Sequence, residues 1–422
     1  MHKEITMSIL ILNRSAMSYS AYHEWLPERS LHYYTAPGRR DLAPAQQALA
    51  DAHYASIKEF EDYDTSDALE LAVLKQHEQQ AFTAIVAMSE WDQIRAGRLR
   101  ARLGLAGTTE QQALYYRDKW LMKQTLSEQG VPVTPFSAIS NVIDVLRFVE
   151  QVGYPIVVKP RLLAASMGLT VLQDEQQLRE FAQSGFGPSM EAQKHLLAEQ
   201  WVDFDTEYHV DGLIENGELK VIWPSRYIGD VSVYDDGESL FGGVLLSPDD
   251  PIRKPLQALI EQTLSALPPL STTTFHAEVF RTRNGQLLVN EIAARTGGFR
   301  INDLLKASFG VWLNREWAKA MAGGSGDFPI GHNPTRHPER LSGYLMLRPK
   351  QGTIVAIPQT CPLDDIYDYR TAASVGDHFN ATDSSGEHVA SVVVTGDDSH
   401  AVMARLQAVH QWFYSNLVVE NK

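Results

Sequence analysis

Residues 275–298 read FHAEVFRTRNGQLLVNEIAARTGG. Two apolar runs flank Asn284-Gly285, the strongest short hairpin signal, because these residues accept the left-handed backbone of a tight turn. With those two as the loop, Arg283 faces Gln286. Counting outward sets Thr282 against Leu287, Phe280 against Val289 and Glu278 against Glu291. Two carboxylates then stand opposite one another on one face of an antiparallel ladder, where like charges repel. A divalent cation between them removes the repulsion. Oxygen-only ligands point to Mg²⁺, or Mn²⁺, rather than zinc. Two solvent-facing glutamates are the plain alternative, but these sit in FHAEVF and LLVNEIAA, mostly apolar runs that read as interior strands. His276 lies two residues before Glu278 and shares its face; a satisfied core histidine and a site residue explain it equally well. Arg295 follows Glu291 by four residues, just ahead of Thr296-Gly297-Gly298, whose exposed amides suit an anion.

Upstream, Gly153 to Pro160 (GYPIVVKP) places Lys159 at the end of an apolar strand. Its charge must reach water or an anion there. The small-residue loop after it, Arg161 to Gly168, suits closure over phosphates. Leu196 to Val202 (LLAEQWV) reads as a strand ending in Glu199-x-x-Val202. In the next strand Glu207 alternates with Tyr208 and so points away from the apolar side. Arg226 lies on the return strand of the Asn216-Gly217 hairpin, where counting places it across from Glu207, with Pro224 able to break that ladder.

Taken in this order, the elements resemble the ATP-grasp superfamily over roughly Arg117 to Gly324, with an α/β domain in its expected place ahead of them. The resemblance implies a role for each residue. Lys119, in the leading Asp118-Lys119 pair, contacts the nucleotide. Lys159 holds the α- and β-phosphates. The loop Leu163 to Gly168, with Ser166 and Gly168, covers the triphosphate, although Ala164-Ala165 stand where relatives carry glycines. Glu199, Gln200 and Val202 belong to the segment that gives main-chain contacts to adenine, and Glu207 binds the ribose hydroxyls. Glu278 and Glu291 hold Mg²⁺, and Arg295 stabilises the transferred phosphoryl group. Arg226 and His276 are further catalytic candidates. Ala293 stands where many relatives carry an asparagine ligand. Asn290 to Gly298 (NEIAARTGG) looks most like the carboxylate–amine ligase branch, home of the L-amino-acid ligases and dapdiamide-type synthases of natural-product pathways.

The rest of the chain fits that organisation. Strand runs at Ser8–Leu12, Leu31–Thr35 and Thr83–Met88 alternate with helical stretches at Ala68–Gln80 and Trp91–Leu103, as in an open α/β sheet. The dinucleotide fingerprint G-x-G-x-x-G is missing after the first strand, which argues against an NAD enzyme. One helix is expected from Thr108 or Thr109 to Gly130, with Leu114, Leu121, Met122 and Leu126 on its apolar face. The last ~95 residues are β-rich and end in a helix from about Asp398 to Leu417. The fold class is therefore α/β and α+β. Residues 1–110 form an N-terminal α/β (pre-ATP-grasp) domain. Residues 111–326 form an ATP-grasp domain of two subdomains, about 111–195 and 196–326. Residues 327–422 form a β-rich C-terminal lid, joined at Gly323-Gly324-Ser325-Gly326. Ser232 to Gly243 is a polar loop able to order around substrates.

Composition bounds the partners. The 422 residues are 44% apolar and 21% charged, with a net charge of −15. Such a surface repels nucleic acid and anionic membranes. One cysteine, Cys361, excludes an intrachain disulfide and fits the cytoplasm. The apolar run Ile9–Leu12 is too short for a signal segment, and none spans a bilayer. The expectation is an ATP- and Mg²⁺-dependent ligase. It joins a small carboxylic acid to an amine through an acyl phosphate, releases ADP and phosphate, and leaves a homodimer open. A bicarbonate-using carboxylase-like enzyme and a non-catalytic nucleotide-binding protein are the rivals.

Overall fold

The computed structural model describes residues 7–164, 166–184, 186, 195–229, 239–324, 338–380 and 387–420. Its first layer is a four-stranded parallel sheet in the order Tyr54–Glu59, Ser30–Thr35, Ser8–Asn13, Ala84–Ala87. The three expected strands are the apolar ones, buried on both faces as parallel strands are. The fourth, Tyr54–Glu59, is an edge strand with only Tyr54 buried. The helix Pro44–Asp51 before it buries only Ala50. Neither shows an apolar period, so neither is legible in the sequence.

The chain builds outward from Ser8–Asn13 on one side and then crosses to Ala84–Ala87 on the other. Ligands of open α/β sheets bind at such a reversal, outside the carboxyl ends of the strands. Those ends carry Asn13-Arg14 and Ser89-Glu90. Beside them Asp92 is buried at 1% exposure. Burial pushes its carboxyl up to about 6, against the weaker pull of Arg95. The unfolded chain ionises first, from about pH 4, so stability falls as pH rises from about 4 through 6 and stays lower above. Two pH units correspond to about 3 kcal/mol. Asp92→Asn is expected to remove about 1–3 kcal/mol of this loss, read as a smaller drop in thermal stability between pH 4.5 and 7.5.

The helix expected across Thr109–Gly130 is two helices. Thr109 caps Glu110–Tyr115 in a reciprocal capping box with Gln112. Asp118 then caps Lys119–Glu128, accepting from the amides of Trp120 and Leu121. A second start inside one apolar pattern splits the helix, because the cap residue takes an extended backbone. The split places Lys119 on the first turn, facing the cleft described below.

An antiparallel four-stranded sheet follows, ordered Phe136–Ile139, Leu196–Gln200, Ile156–Pro160, Thr170–Leu172. The helices Val142–Val152 and Glu175–Ser184 belong to this layer. Val145, Phe148 and Leu178 pack on Ile139, Ile156, Val158 and Ala198 to make its core.

The largest sheet has eight strands, in the order Leu287–Ala293, Thr273–Thr282, Phe204–Glu215, Glu218–Ile228, Gly242–Leu245, Leu341–Leu347, Ala390–Gly396, Ile366–Thr371. Its last three strands come from the segment expected to be a lid. Leu341–Leu347 pairs directly with Gly242–Leu245, and the helix Ser399–Asn416 packs Val402, Leu406, Val409 and Phe413 into the common core. That segment therefore continues the sheet that carries the site, and its strands cannot swing away without breaking ladder hydrogen bonds. Ser325 and Gly326 of the glycine joint and most of the loop 232–243 lie outside the described residues.

Candidate active site

The expected opposition of Glu278 and Glu291 is present, reached by two offsets that cancel. The loop is three residues long: Gly285 takes φ +85°, Gly285 N–H donates to Thr282 O, and Thr282 N–H donates to Gln286 O. This slips the register by one, so Phe280 faces Leu288 rather than Val289. A bulge at Asn290 then adds one residue to the returning strand and restores Glu278 against Glu291. Asn290 lines the same cavity, and its Nδ2 donates to Glu278 Oε2 at 3.3 Å. The hairpin count gave no sign of this side chain.

A second bulge acts the other way on Arg226. The ladder of Phe204–Glu215 with Glu218–Ile228 shifts by one at Lys220. Arg226 consequently faces Tyr208 instead of Glu207 and is exposed, away from the cavity-lining residues. A one-residue slip exchanges the faces of a strand, and Tyr227 takes the inward place. Its hydroxyl donates to Glu278 Oε1 at 3.3 Å and lies 3.5 Å from His276 Nε2. Tyr227 thus replaces Arg226 among the residues at the site.

The cavity, about 1150 Å³, is lined by all three layers. It exceeds the upper range of ~1,000 Å³ for small-ligand pockets, leaving room beside a nucleotide for a further substrate. Its lining includes Lys119, Lys159, Ser166, Glu199, Gln200, Val202 and Glu207, the residues expected on the nucleotide, together with His276, Glu278, Glu291 and Arg295. Gly168 is not among the lining residues. Its φ is +71°, and a Cβ there would approach Pro160 Cγ to 2.9 Å, so it serves the turn. Ser166 takes φ +58° beside it.

Glu199 does more than end a strand. It is buried with one oxygen 3.0 Å from Lys159 Nζ and the other 3.1 Å from Lys123 Nζ. Burial alone would raise its carboxyl, but the two lysines outweigh that and hold it below the usual range. Burial likewise lowers Lys123, to about 8. For Lys159, Glu199, Glu291 and Glu278 overcome burial and hold its ammonium above the usual range. Lys159 therefore stays charged at the cleft. Lys159→Ala is expected to weaken ATP binding about ten- to a hundred-fold through loss of a charge-assisted contact, measured by calorimetry.

Lys119 Nζ donates to Leu163 O at 2.6 Å and lies 3.2 Å from Glu291 Oε2. It thereby ties the loop after Lys159 to the carboxylate pair. Burial opposes the charge on Glu291, yet Lys119, Lys159 and Arg295 lower its carboxyl to about 2. Glu278 and Glu291 offer charged oxygens, and Asn290 Oδ1 a neutral one, from residues that line the cavity. This set fits a hard divalent cation such as Mg²⁺.

His276 sits behind Glu278 at hydrogen-bond distance from Asp211, 2.8 Å from Nδ1 to Oδ1. His209 Nδ1 reaches the other oxygen of Asp211 at 2.5 Å. Burial would neutralise His276, but Asp211 raises it to about 9. Gly297 presses onto this pair: a Cβ there would come within 2.7 Å of His276 Nδ1 and 2.6 Å of Ile301 Cδ1. Gly297 is thus fixed by close packing against the histidine, where any larger residue would clash.

Arg295 is held by its Nε on Glu90 and its NH1 on Thr296 O at 3.1 Å. Glu90 follows the strand Ala84–Ala87, at the reversal of the N-terminal sheet. The visible signal for it is an acidic residue three positions past the end of an apolar strand.

The profile of the ATP-grasp domain matches residues 124–298. The chain is similar to the L-arginine-specific L-amino acid ligase of Bacillus subtilis, 27% identical over 391 residues and covering 91% of each chain. It is 25% identical over 211 residues to a D-alanine–D-alanine ligase of Streptococcus agalactiae, covering 46% of this chain and 57% of that one. Among solved structures, the L-amino acid ligase of Bacillus licheniformis superposes with a TM-score of 0.77 at 15% identity, covering 99% of both chains. That likeness is one of fold.

Proposed function

The chain carries an ATP-grasp domain, and on that premise we propose that it is an ADP-forming carboxylate–amine ligase acting on amino acids or similar small acids. The observation that carries the reading is the Glu278–Glu291 pair beside Lys119, Lys159 and Arg295 in one cavity. The nearly full-length likeness to an L-amino acid ligase supports amino acids as the substrate class. Among the described residues no helix is long and apolar enough to cross a membrane.

In the first step a carboxylate oxygen of the acid attacks the γ-phosphorus of ATP. The bond from that phosphorus to the bridging oxygen of ADP breaks, leaving an acyl phosphate. The amine nitrogen then attacks the acyl carbon, orthophosphate leaves, and the nitrogen gives up a proton. Lys159 neutralises the leaving ADP, and Lys119 holds the loop after Lys159 against the site. Arg295 takes up charge on the transferring phosphoryl group, whose three oxygens hold most of the transition-state charge. Glu278 and Glu291, with Asn290 beside them, are the residues to hold Mg²⁺, which when bound neutralises phosphate charge and orients the nucleotide. Glu207 is proposed for the ribose hydroxyls, and the backbone of Gln200 to Val202 for adenine. The division proposed with these roles is 1–110, 111–326 and 327–422, the last adding strands to the central sheet and residues such as Arg370 and Ser391 to the cavity lining.

The test is the nucleotide product. With ATP, Mg²⁺, an amino acid and hydroxylamine in place of the amine, hydroxamate should form with one ADP and one orthophosphate each, resolved by chromatography. AMP with pyrophosphate would mean an acyl adenylate and would overturn the reading.

A further inference from the structure

We infer that Glu90, contributed by the N-terminal α/β sheet, is a positioning residue that sets Arg295 for phosphoryl transfer. The inference rests on the phosphoryl-transfer reading above and adds to it a residue from outside the ATP-grasp domain.

The geometry is specific. Glu90 is largely buried, and its two oxygens serve two different guanidinium groups: Oε2 accepts from Arg295 Nε, and Oε1 from Arg117 NH1. Arg295 also donates from NH1 to Thr296 O at 3.1 Å. Two of its three nitrogens are thereby committed, and a planar fork held at two points cannot rotate. Its NH2 has no hydrogen-bond partner among the described residues, and Arg295 lines the cavity. This arrangement leaves the two N–H donors of NH2 for an incoming anion at no cost of reorganisation at the moment of reaction.

Arg117 extends the device. Its NH2 donates to Leu162 O at 2.8 Å, directly ahead of the loop at 163–168. Its guanidinium lies 5.5 Å from the Trp91 ring centroid. One carboxylate therefore joins the arginine at the carboxylate pair to the root of the loop proposed to cover the triphosphate. Burial alone would push Glu90 toward the neutral acid, but Arg295, Arg117 and Lys119 hold its carboxyl below the usual range. Its negative charge is the feature the two arginines require. Glutamine has the same size but one acceptor oxygen, and its amide NH₂ repels whichever guanidinium it meets.

The experiment is a double-mutant cycle on kcat for ADP release with an amino acid and hydroxylamine. Glu90→Gln is expected to lower kcat about a hundred-fold in the wild-type background, the scale of a small misplacement of a reacting group. ATP affinity by calorimetry and the KM for the acid should change less than about threefold. In an Arg295→Lys background the same substitution should cost less than about threefold, because the group it positions is gone. Equal losses in both backgrounds would overturn the inference and leave Glu90 a general structural residue. A large rise in KM for the acid at unchanged kcat would overturn it as well, making Glu90 a substrate contact. If thermal unfolding shows Glu90→Gln to be unfolded, the cycle is run with Glu90→Asp, which keeps the charge but not the reach, and the same outcomes decide. The wild-type reaction is scored for ADP against AMP in parallel. AMP there defeats the ligase reading, whereas ADP with equal losses defeats only the role of Glu90.

Discussion

Glu291→Gln is expected to lower kcat about a thousand-fold or more, equivalent to about 4 kcal/mol of transition-state stabilisation, while circular dichroism and thermal unfolding stay near those of the wild type. Glutamine fills the volume of glutamate but carries no charge. Glu291 is the carboxylate on which Lys119, Lys159 and Arg295 converge, and their combined field keeps it ionised far below neutral pH. Removing that charge leaves Glu278 as the one anionic member of the opposed pair and takes from Lys119 its partner at 3.2 Å. A divalent cation bound by oxygen ligands loses much of its affinity with each charged ligand removed. Raising Mg²⁺ should therefore restore part of the lost rate, and a titration of activity against Mg²⁺ should shift to higher concentration. A kcat near that of the wild type at ordinary Mg²⁺ would remove Glu291 from the site.

Arg295→Lys is expected to lower kcat about a thousand-fold, the lower end of what a charge-stabilising arginine supplies to phosphoryl transfer, with ATP affinity changed by less than about threefold. Lysine keeps the charge. It loses the fork that bonds Glu90 and Thr296 O together, and a flexible ammonium cannot hold both points. The loss should fall on kcat and kcat/KM together, because an interaction made only in the transition state does not contribute to binding the ground state. Rapid-quench measurement of ADP formation and calorimetry with ATP check the two halves. A weakened ATP affinity with unchanged kcat would place Arg295 on the ground-state nucleotide instead.

The hairpin shows how far the residues themselves carry the site. Opposition of Glu278 and Glu291 follows from a two-residue loop without bulges, yet the molecule uses a three-residue loop and a bulge at Asn290. The outcome is the same because one offset undoes the other. In the neighbouring ladder there is one offset, at Lys220, with nothing to undo it. There the count fails, and Tyr227 stands where Arg226 was expected. Bulges answer to the twist and packing of a whole sheet, so no local pattern announces them.

The sequence by itself determined the parts that depend on neighbours along the chain. These are the apolar strands of the N-terminal sheet, the helices Ala68–Gln79 and Gln93–Leu103, the strand that carries Lys159, and the acidic pair within two interior strands. Each is a local preference of backbone or burial, and each survives folding unchanged. Only the tertiary structure decided what comes together from a distance. It joined the C-terminal strands to the central sheet, turned Glu199 onto two lysines, and brought Glu90 from the N-terminal sheet onto Arg295, 205 residues away in the chain. The physical reason is one of range. Propensity and periodicity act over a few residues, whereas a buried carboxylate settles where the finished fold leaves a cation to pair with it.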